Sequence, residues 1–382
     1  MRIDYQRESK MENNNSAPNV TTVNVRQTQV QNDNKCPSCG ATLAYDPLTG
    51  NLVCNFCGTS VRFDSAYAEP ELGYTLTELQ NIAGKNIWQT TSKLITCGSC
   101  GGQFVADPSS ISGLCPFCGS NSVTQSDVNG TPEPTGVVPF AIDKASAQVM
   151  LKQWLSQCRN VAADVAQNTQ FSDLEGVYVP YWIFSCDTTA SYKGQFGINR
   201  GCGEDSYVEW HKSSGVTSHR FKDLTVIASN RLANDYYWKN ISSFNFDFAQ
   251  KFNPNLLAGF WAESYSIDGT QAWQTAMNKI YETIKEDIKA REIADHVDKL
   301  EMNPSASNVH AKYVLAPIWI TSFKYKNKIY RTLINGQTGK ISGDWPRRFP
   351  KALLIVLIIV LAYIGLMLTG GLLSCVVAAL GA

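Results

Sequence analysis

The chain lacks an excess of either charge: 33 Lys and Arg stand against 33 Asp and Glu in 382 residues. A molecule-wide basic surface for tracking phosphates is thereby excluded. The opening "MRIDYQRESKMENNNSAPNV" holds no apolar stretch, so no secretory signal is expected. Histidines number four, His211, His219, His296 and His310, and in sequence no two of them form a metal-binding or acid–base pair. His211 and His219 lie in "EWHKSSGVTSHRF", a polar stretch expected as a loop, with Glu204, Asp205 and Glu209 nearby. No GxxxxGK[ST], GxSxG or HExxH occurs. Phosphate-loop motors, nucleophile-elbow hydrolases and HExxH metalloproteases are therefore excluded. The nearest imitation of a phosphate loop, "GQTGKISG" at Gly336, has Ile341 where Ser or Thr would hold magnesium, and reads as a hairpin turn. Residues 1–34, rich in Asn, Gln, Ser and Thr, lack the apolar side chains that offset the entropy of ordering and read as a disordered tail.

Cysteine is abundant, with 12 in the chain. Eight of them form two units of matching register. "CPSCGATLAYDPLTGNLVCNFC" contains Cys36, Cys39, Cys54 and Cys57; "CGSCGGQFVADPSSISGLCPFC" contains Cys97, Cys100, Cys115 and Cys118. Fourteen residues separate the two CxxC pairs in each unit. A CxxC places two sulfurs on one tight knuckle, and two facing knuckles complete the tetrahedral four-thiolate shell that zinc accepts. Gly40, Gly58, Gly101 and Gly119 follow the second cysteines, where the chain must turn so that amides point at sulfur. Asp46–Pro47 and Asp107–Pro108 occupy matching places and read as the hairpin connections. Two zinc ribbons, holding two Zn²⁺ per chain, are expected. Cys158, Cys186, Cys202 and Cys375 are scattered; Cys186 and Cys202 read as free thiols in a reducing compartment, with a spatial pairing of the two as the alternative. A single redox CxxC explains two sets of four cysteines poorly. Neither unit contains Lys or Arg between its outer cysteines, which argues against nucleic acid as the ligand of the ribbons. Tyr45, Leu48, Phe56 and Phe117 suit contact with protein or ribbon core.

The expected fold class is small zinc-ribbon β domains followed by an α+β domain with mostly antiparallel sheet and a C-terminal transmembrane helix. The boundaries are a tail at 1–34, ribbon 1 at 35–60, a connecting segment at 61–95, ribbon 2 at 96–120, a polar linker at 121–136, the α+β domain at 137–350 and a membrane segment at 352–382. "YTLTELQNIAGKNIWQ" reads as a short helix or turn. "DKASAQVMLKQWLSQC" puts Ala147, Met150 or Leu151, Trp154, Leu155 and Cys158 on one helical stripe. "EGVYVPYWIFSCDTTASYKG" reads as a strand and a turn, with a second strand after it; "DLTVIASN" and "SFNFDFAQKF" read as strands. A long helix is expected from Thr270 to about Leu300, with Trp273, Met277, Ile280, Ile284 and Ile288 at helical spacing, ended by Pro304. "KYVLAPIWITSFKYKNKIYRTLINGQTG" reads as a hairpin turning at Lys326–Asn327, with another turn at Asn335–Gly336. "VYVPYWIFSC" and "VLAPIWITSF" resemble each other, and "TGVVPFAIDK" adds a third Pro-aromatic step, so two half-domains of common design are one reading of this region.

These residues carry a family resemblance. The cysteine units resemble zinc ribbons of the transcription-factor-IIB type. With "PFAID" at Pro139, "GVYVPYW" from Gly176 and "YRTLINGQTGKISGDWP" from Tyr330, the whole chain resembles bacterial membrane-attached double zinc-ribbon proteins, sometimes labelled primosomal-helicase-like. The resemblance implies zinc at the eight cysteines and no catalytic residue. It also implies a place among phage-shock and stomatin-like membrane proteins.

After Lys351 come 31 residues without a charge, and about 20 apolar residues span a bilayer. Lys324, Lys326, Lys328, Arg331, Lys340, Arg347, Arg348 and Lys351 precede the stretch, which orients it with the bulk of the chain cytoplasmic. The resulting expectation is a single-pass, membrane-anchored zinc-ribbon adaptor without enzymatic activity. Its partners would be membrane proteins, the lipid bilayer or a second copy of the chain. The alternatives are a membrane-tethered nucleic-acid-binding protein, and an enzyme acting on lipid or peptide in the aromatic domain.

Overall fold

A computed structural model describes residues 35–62, 73–81, 93–106, 115–118, 120–127, 132–158, 174–325, 328–346, 355, 358–361 and 364–365. The first cysteine unit forms its own antiparallel sheet of β1 (Leu43–Asp46), β2 (Asn51–Cys54) and β3 (Ser60–Val61). Asp46 makes the expected hairpin connection by accepting bonds from the Leu48 amide and the Thr49 hydroxyl. The matching Asp107–Pro108 lies outside the described residues. Next come β4 (Tyr74–Thr75) and α1 (Leu76–Asn81). Thr75 and Glu78 cap this helix reciprocally, each amide donating to the other's side chain. The remainder of that expected helical stretch, 82–89, is outside the described residues.

The second unit supplies β5 (Lys93–Cys97) and β6 (Gln103–Ala106), and β7 (Val123–Asp127) pairs with β5 from within the stretch expected as a polar linker. Then follow β8 (Gly136–Val137), α2 (Lys144–Gln157), β9 (Glu175–Arg200), β10 (Tyr207–Ile227), β11 (Gln250–Lys251), β12 (Trp261–Glu263), α3 (Gly269–Arg291), β13 (His296–Tyr325), β14 (Lys328–Asn335) and β15 (Ile341–Gly343). The large sheet runs β11-β8-β13-β9-β12-β6-β5-β7, with β10 added to β9, β14 and β4 to β13, and β15 to β14. β12 runs parallel to β9 and β8 parallel to β13; the other pairings are antiparallel. The molecule is a large mixed α+β domain with extensive sheet.

The centre of the sheet is buried on both faces, which is why "VYVPYWIF" reads as an unbroken apolar run. Tyr178, Trp182 and Phe184 face the helices, where α2 contributes Ala147, Leu151 and Leu155 and α3 contributes Ala276, Ile280, Ile284 and Ile288. Val177, Val179 and Tyr181 face the other way, onto Trp238, Trp261 and the second cysteine unit.

A two-fold pattern runs through these contacts. Pro180 lies opposite Leu315 as Pro317 lies opposite Tyr178. Trp182 Nε1 donates to the Ile267 carbonyl at 3.0 Å, and Trp319 Nε1 donates to the Ile142 carbonyl at 2.9 Å. Asp143 caps α2 as Asp268 caps α3, each one residue after those isoleucines. The Ala228 amide donates to Pro180 and the Gly336 amide to Pro317, both at 2.9 Å.

Several expectations are corrected. β9 is one strand of 26 residues with no turn inside it. "EWHKSSGVTSHRF" is strand in β10, where the loop was expected. α3 ends at Arg291; His296 and Pro304, expected in or after that helix, lie in β13, with Pro304 opposite Ala190. "SFNFDFAQKF" supplies a 3₁₀ turn at Phe246–Phe248 and the two-residue β11. The 325–328 hairpin forms, with Lys326–Asn327 outside the described residues.

The largest correction concerns the C-terminus. Among the described residues no helix is long and apolar enough to cross a membrane. Helical positions occur at Ile355, at 358–361 and at 364–365, and the rest of the expected 352–382 span lies outside the described residues. That finding overturns the transmembrane part of the fold class and the membrane-attached part of the resemblance. The anchored adaptor, the tethered nucleic-acid binder, the cytoplasmic-membrane location, and the membrane-protein and bilayer partners fall with it. No observation carries the homo-oligomer.

Candidate metal centres

Each cysteine unit closes into a compact four-sulfur cluster. In the first, Cys36 and Cys57 Sγ stand 3.5 Å apart, and Cys39 and Cys54 Sγ 3.6 Å. In the second, Cys97–Cys118 and Cys100–Cys115 are 3.6 and 3.7 Å. Within each set every sulfur lies within 4.8 Å of the others. A tetrahedral shell with metal–sulfur bonds of about 2.3 Å puts sulfurs about 3.8 Å apart, so the donor sets fit a zinc ion. These separations far exceed a disulfide bond of about 2.05 Å, and the eight cysteines are free thiols.

The knuckles explain the geometry. Gly40, Gly58 and Gly101 donate their amides to the carbonyls of Cys36, Cys54 and Cys97 at 2.8 to 2.9 Å. All three have φ between 69° and 74°, the left-handed turn that favours glycine. The turn aims amides at sulfur. Burial acts to raise the Cys36 thiol, but the amides of Ser38 and Cys39 outweigh it and hold it down at about 6. The amides of Cys100 and Ser99 do the same for Cys97, at about 7. Both groups are thereby disposed to bind metal as thiolates.

The two clusters differ in surroundings. The first turns Cys39 and Cys57 to solvent, beside Phe56, which is 84% exposed; Leu48, 71% exposed, stands at the far end of the hairpin, in the β1–β2 turn. It seats on the large domain through the Tyr45 amide, which donates to the Ala258 carbonyl at 3.0 Å. The second is built into the large sheet, because β6 pairs with β12. Its Phe117, expected as surface or ribbon core, is fully buried; it stacks on Phe104 at 4.9 Å. The guanidinium carbon of Arg231 lies 3.0 Å above the Phe117 ring centre. Arg231 in turn reaches the buried Glu263 at 3.4 Å, and Ser229 donates to the same carboxylate oxygen at 2.7 Å. Sequence reasoning missed this trio. Nothing in "IASNRLAND" points to the cluster; the register of β12 against β6 brings it there.

The histidines do not assemble a third centre. His211 and His219 share one face of β10, as even spacing in a strand requires, and both meet the C-terminal end of α3. His211 Nε2 is 3.4 Å from Glu292, which also accepts from Tyr192 and Ser213 at 2.9 and 2.8 Å. His219 Nε2 lies 3.0 Å from Thr217 Oγ1 and 3.5 Å from Asp287. Among the described residues, only the two cysteine sets bring three or more ligand atoms together.

No protein-family model and no solved structure matches the chain. It is similar to a protein of Bacillus subtilis (strain 168) described as "Uncharacterized protein YdjG", 25% identical over 317 residues, which cover 82% of this chain and 89% of that one.

Proposed function

We propose that this is a zinc-binding protein with two structural sites. Cys36, Cys39, Cys54 and Cys57 hold one Zn²⁺; Cys97, Cys100, Cys115 and Cys118 hold the other. The observation that carries this reading is the pair of complete four-thiol sets at tetrahedral spacing, each on two amide-lined knuckles. Four protein ligands leave no open coordination position for substrate, which is the signature of structural zinc. Bound zinc would supply the covalent closure that hairpins of four-residue strands cannot provide by burial alone. The chain's own residues then do the rest: knuckle amides stabilise thiolates, glycines turn the backbone, and the hairpins present their apolar faces to the large domain.

Elemental analysis of the purified full-length protein tests the proposal. Two zinc ions per chain are expected, falling to one in Cys54→Ser and one in Cys115→Ser. A metal-free protein, or one loaded chiefly with iron, would refute it.

A further inference from the structure

We propose that Arg231 is the positioning residue of the second cysteine site, supplying the positive charge that the loaded thiolate shell requires and so retaining its metal. The inference rests on the zinc reading above. Arg231 stacks on Phe117, which lies between Cys115 and Cys118 on the second knuckle. It lines, together with Cys100, Gly101, Gly102 and Glu263, one cleft of about 430 Å³. Among the described residues its buried Nε and Nη1 have no hydrogen-bond partner, while Nη2 makes one long contact of 3.4 Å to Glu263. Buried donors without acceptors are expensive, so the arrangement has room in that cleft for negative charge beyond the one carboxylate of Glu263.

Four thiolates on Zn²⁺ leave a net formal charge of about −2. The sulfurs are partly or wholly withdrawn from water there: Cys97 and Cys115 are buried, Cys100 and Cys118 half-buried. A second cation, Arg331, is bonded to Asp235. Arg231 is the cation with donors to spare. The first site has no such requirement, because Cys39 and Cys57 face solvent, which screens the charge. Its hairpin carries no Lys or Arg between the outer cysteines. Two chemically identical shells are thus held differently, and the second releases its metal more slowly.

The test follows zinc release from the full-length loaded protein into excess 4-(2-pyridylazo)resorcinol. Cys54→Ser isolates the release of the second site and Cys115→Ser that of the first. Arg231→Met should speed release from the second site by about tenfold to a hundredfold, the usual effect of losing an outer-sphere partner, and leave the first unchanged. Arg231→Lys should restore most of the retention, because it keeps the charge; a packing role alone would not be rescued this way. Should Arg231→Met fail to fold for want of a partner for Glu263, the double variant Arg231→Met with Glu263→Gln removes the stranded carboxylate and carries the same expectation. Wild-type release rates in the Met variants, or a Lys variant as leaky as Met, would overturn the inference while leaving the two zinc sites standing. A wild-type protein without zinc would overturn both.

Discussion

Gly259 is a junction between two parts of the molecule. It has φ of +82°, and a Cβ there would stand 2.8 Å from the Ala44 Cβ of the first ribbon. The neighbouring Ala258 carbonyl receives the Tyr45 amide. Gly259→Ala should therefore cost about 1–2 kcal/mol through a strained backbone and a displaced ribbon. Hydrogen exchange should quicken at the Tyr45 amide; unchanged protection there would show that the ribbon is seated by other contacts. Glu292 is a residue with a pH signature. Burial acts to raise its carboxyl, but bonds from Ser213, Tyr192 and His211 prevail and hold it below the usual carboxylate range. A depressed folded value means stability that is present above the ordinary glutamate value of about 4.3 and lost as pH falls through the depressed one. Glu292→Gln should be less stable than wild type at neutral pH and should converge with it in acid, in urea titrations across that range. Parallel curves at all pH values would remove Glu292 from the acid response.

At the scale of elements, we propose that β8–α2–β9–β10 and β12–α3–β13–β14 are two copies of one unit, a proposal supported by the shared tryptophan bonds, caps and proline-centred pairing. Trp182→Phe and Trp319→Phe each strand a carbonyl, of Ile267 and Ile142 respectively. Each should cost about 1–3 kcal/mol, measured by chemical denaturation, with the two losses similar. One large and one negligible loss would argue that the resemblance is local strand chemistry. The helix stripes were legible in sequence, because Ala147, Leu151 and Leu155, and Ile280, Ile284 and Ile288, repeat at helical period and are buried. The strand lengths were not. β9 passes at Cys186 and Asp187 from a segment buried on both faces to one buried on a single face, and the change of pattern mimics a boundary. The first half of β13 is polar on its outer face and so extends the charged text of α3. Its Pro304 sits opposite Ala190 inside a strand, a place where proline is uncommon.

For the whole molecule, the eight cysteines were legible because ligand spacing is a local code, whereas what each ribbon holds together depends on pairings distant in sequence. The first ribbon keeps its own three-stranded sheet and adds Leu43, Tyr45 and Leu52 to the core beside Leu256 and Ala258. The second shares a backbone ladder with the domain: Phe104 lies opposite Glu263 and Val105 opposite Ala262, while β12 pairs on its other side with β9. Phe104 and Phe117 are fully buried in the cluster that contains Val177, Tyr181 and Trp261. On the zinc reading, losing the second metal frees the knuckle that fixes Phe117 and frays β6 from β12, so a strand and two aromatic side chains leave the core together. Losing the first metal unfolds a sheet whose only backbone tie to the domain, among the described residues, is the Tyr45–Ala258 bond. Cys115→Ser should accordingly lower the thermal midpoint of the entire domain, with loss of near-ultraviolet circular dichroism from the buried tryptophans. Cys54→Ser should leave that transition nearly in place and add a small, earlier one. Equal effects of the two variants would mean that the first ribbon is as integral to the core as the second, and the reverse order would mean that the β6–β12 ladder holds without metal.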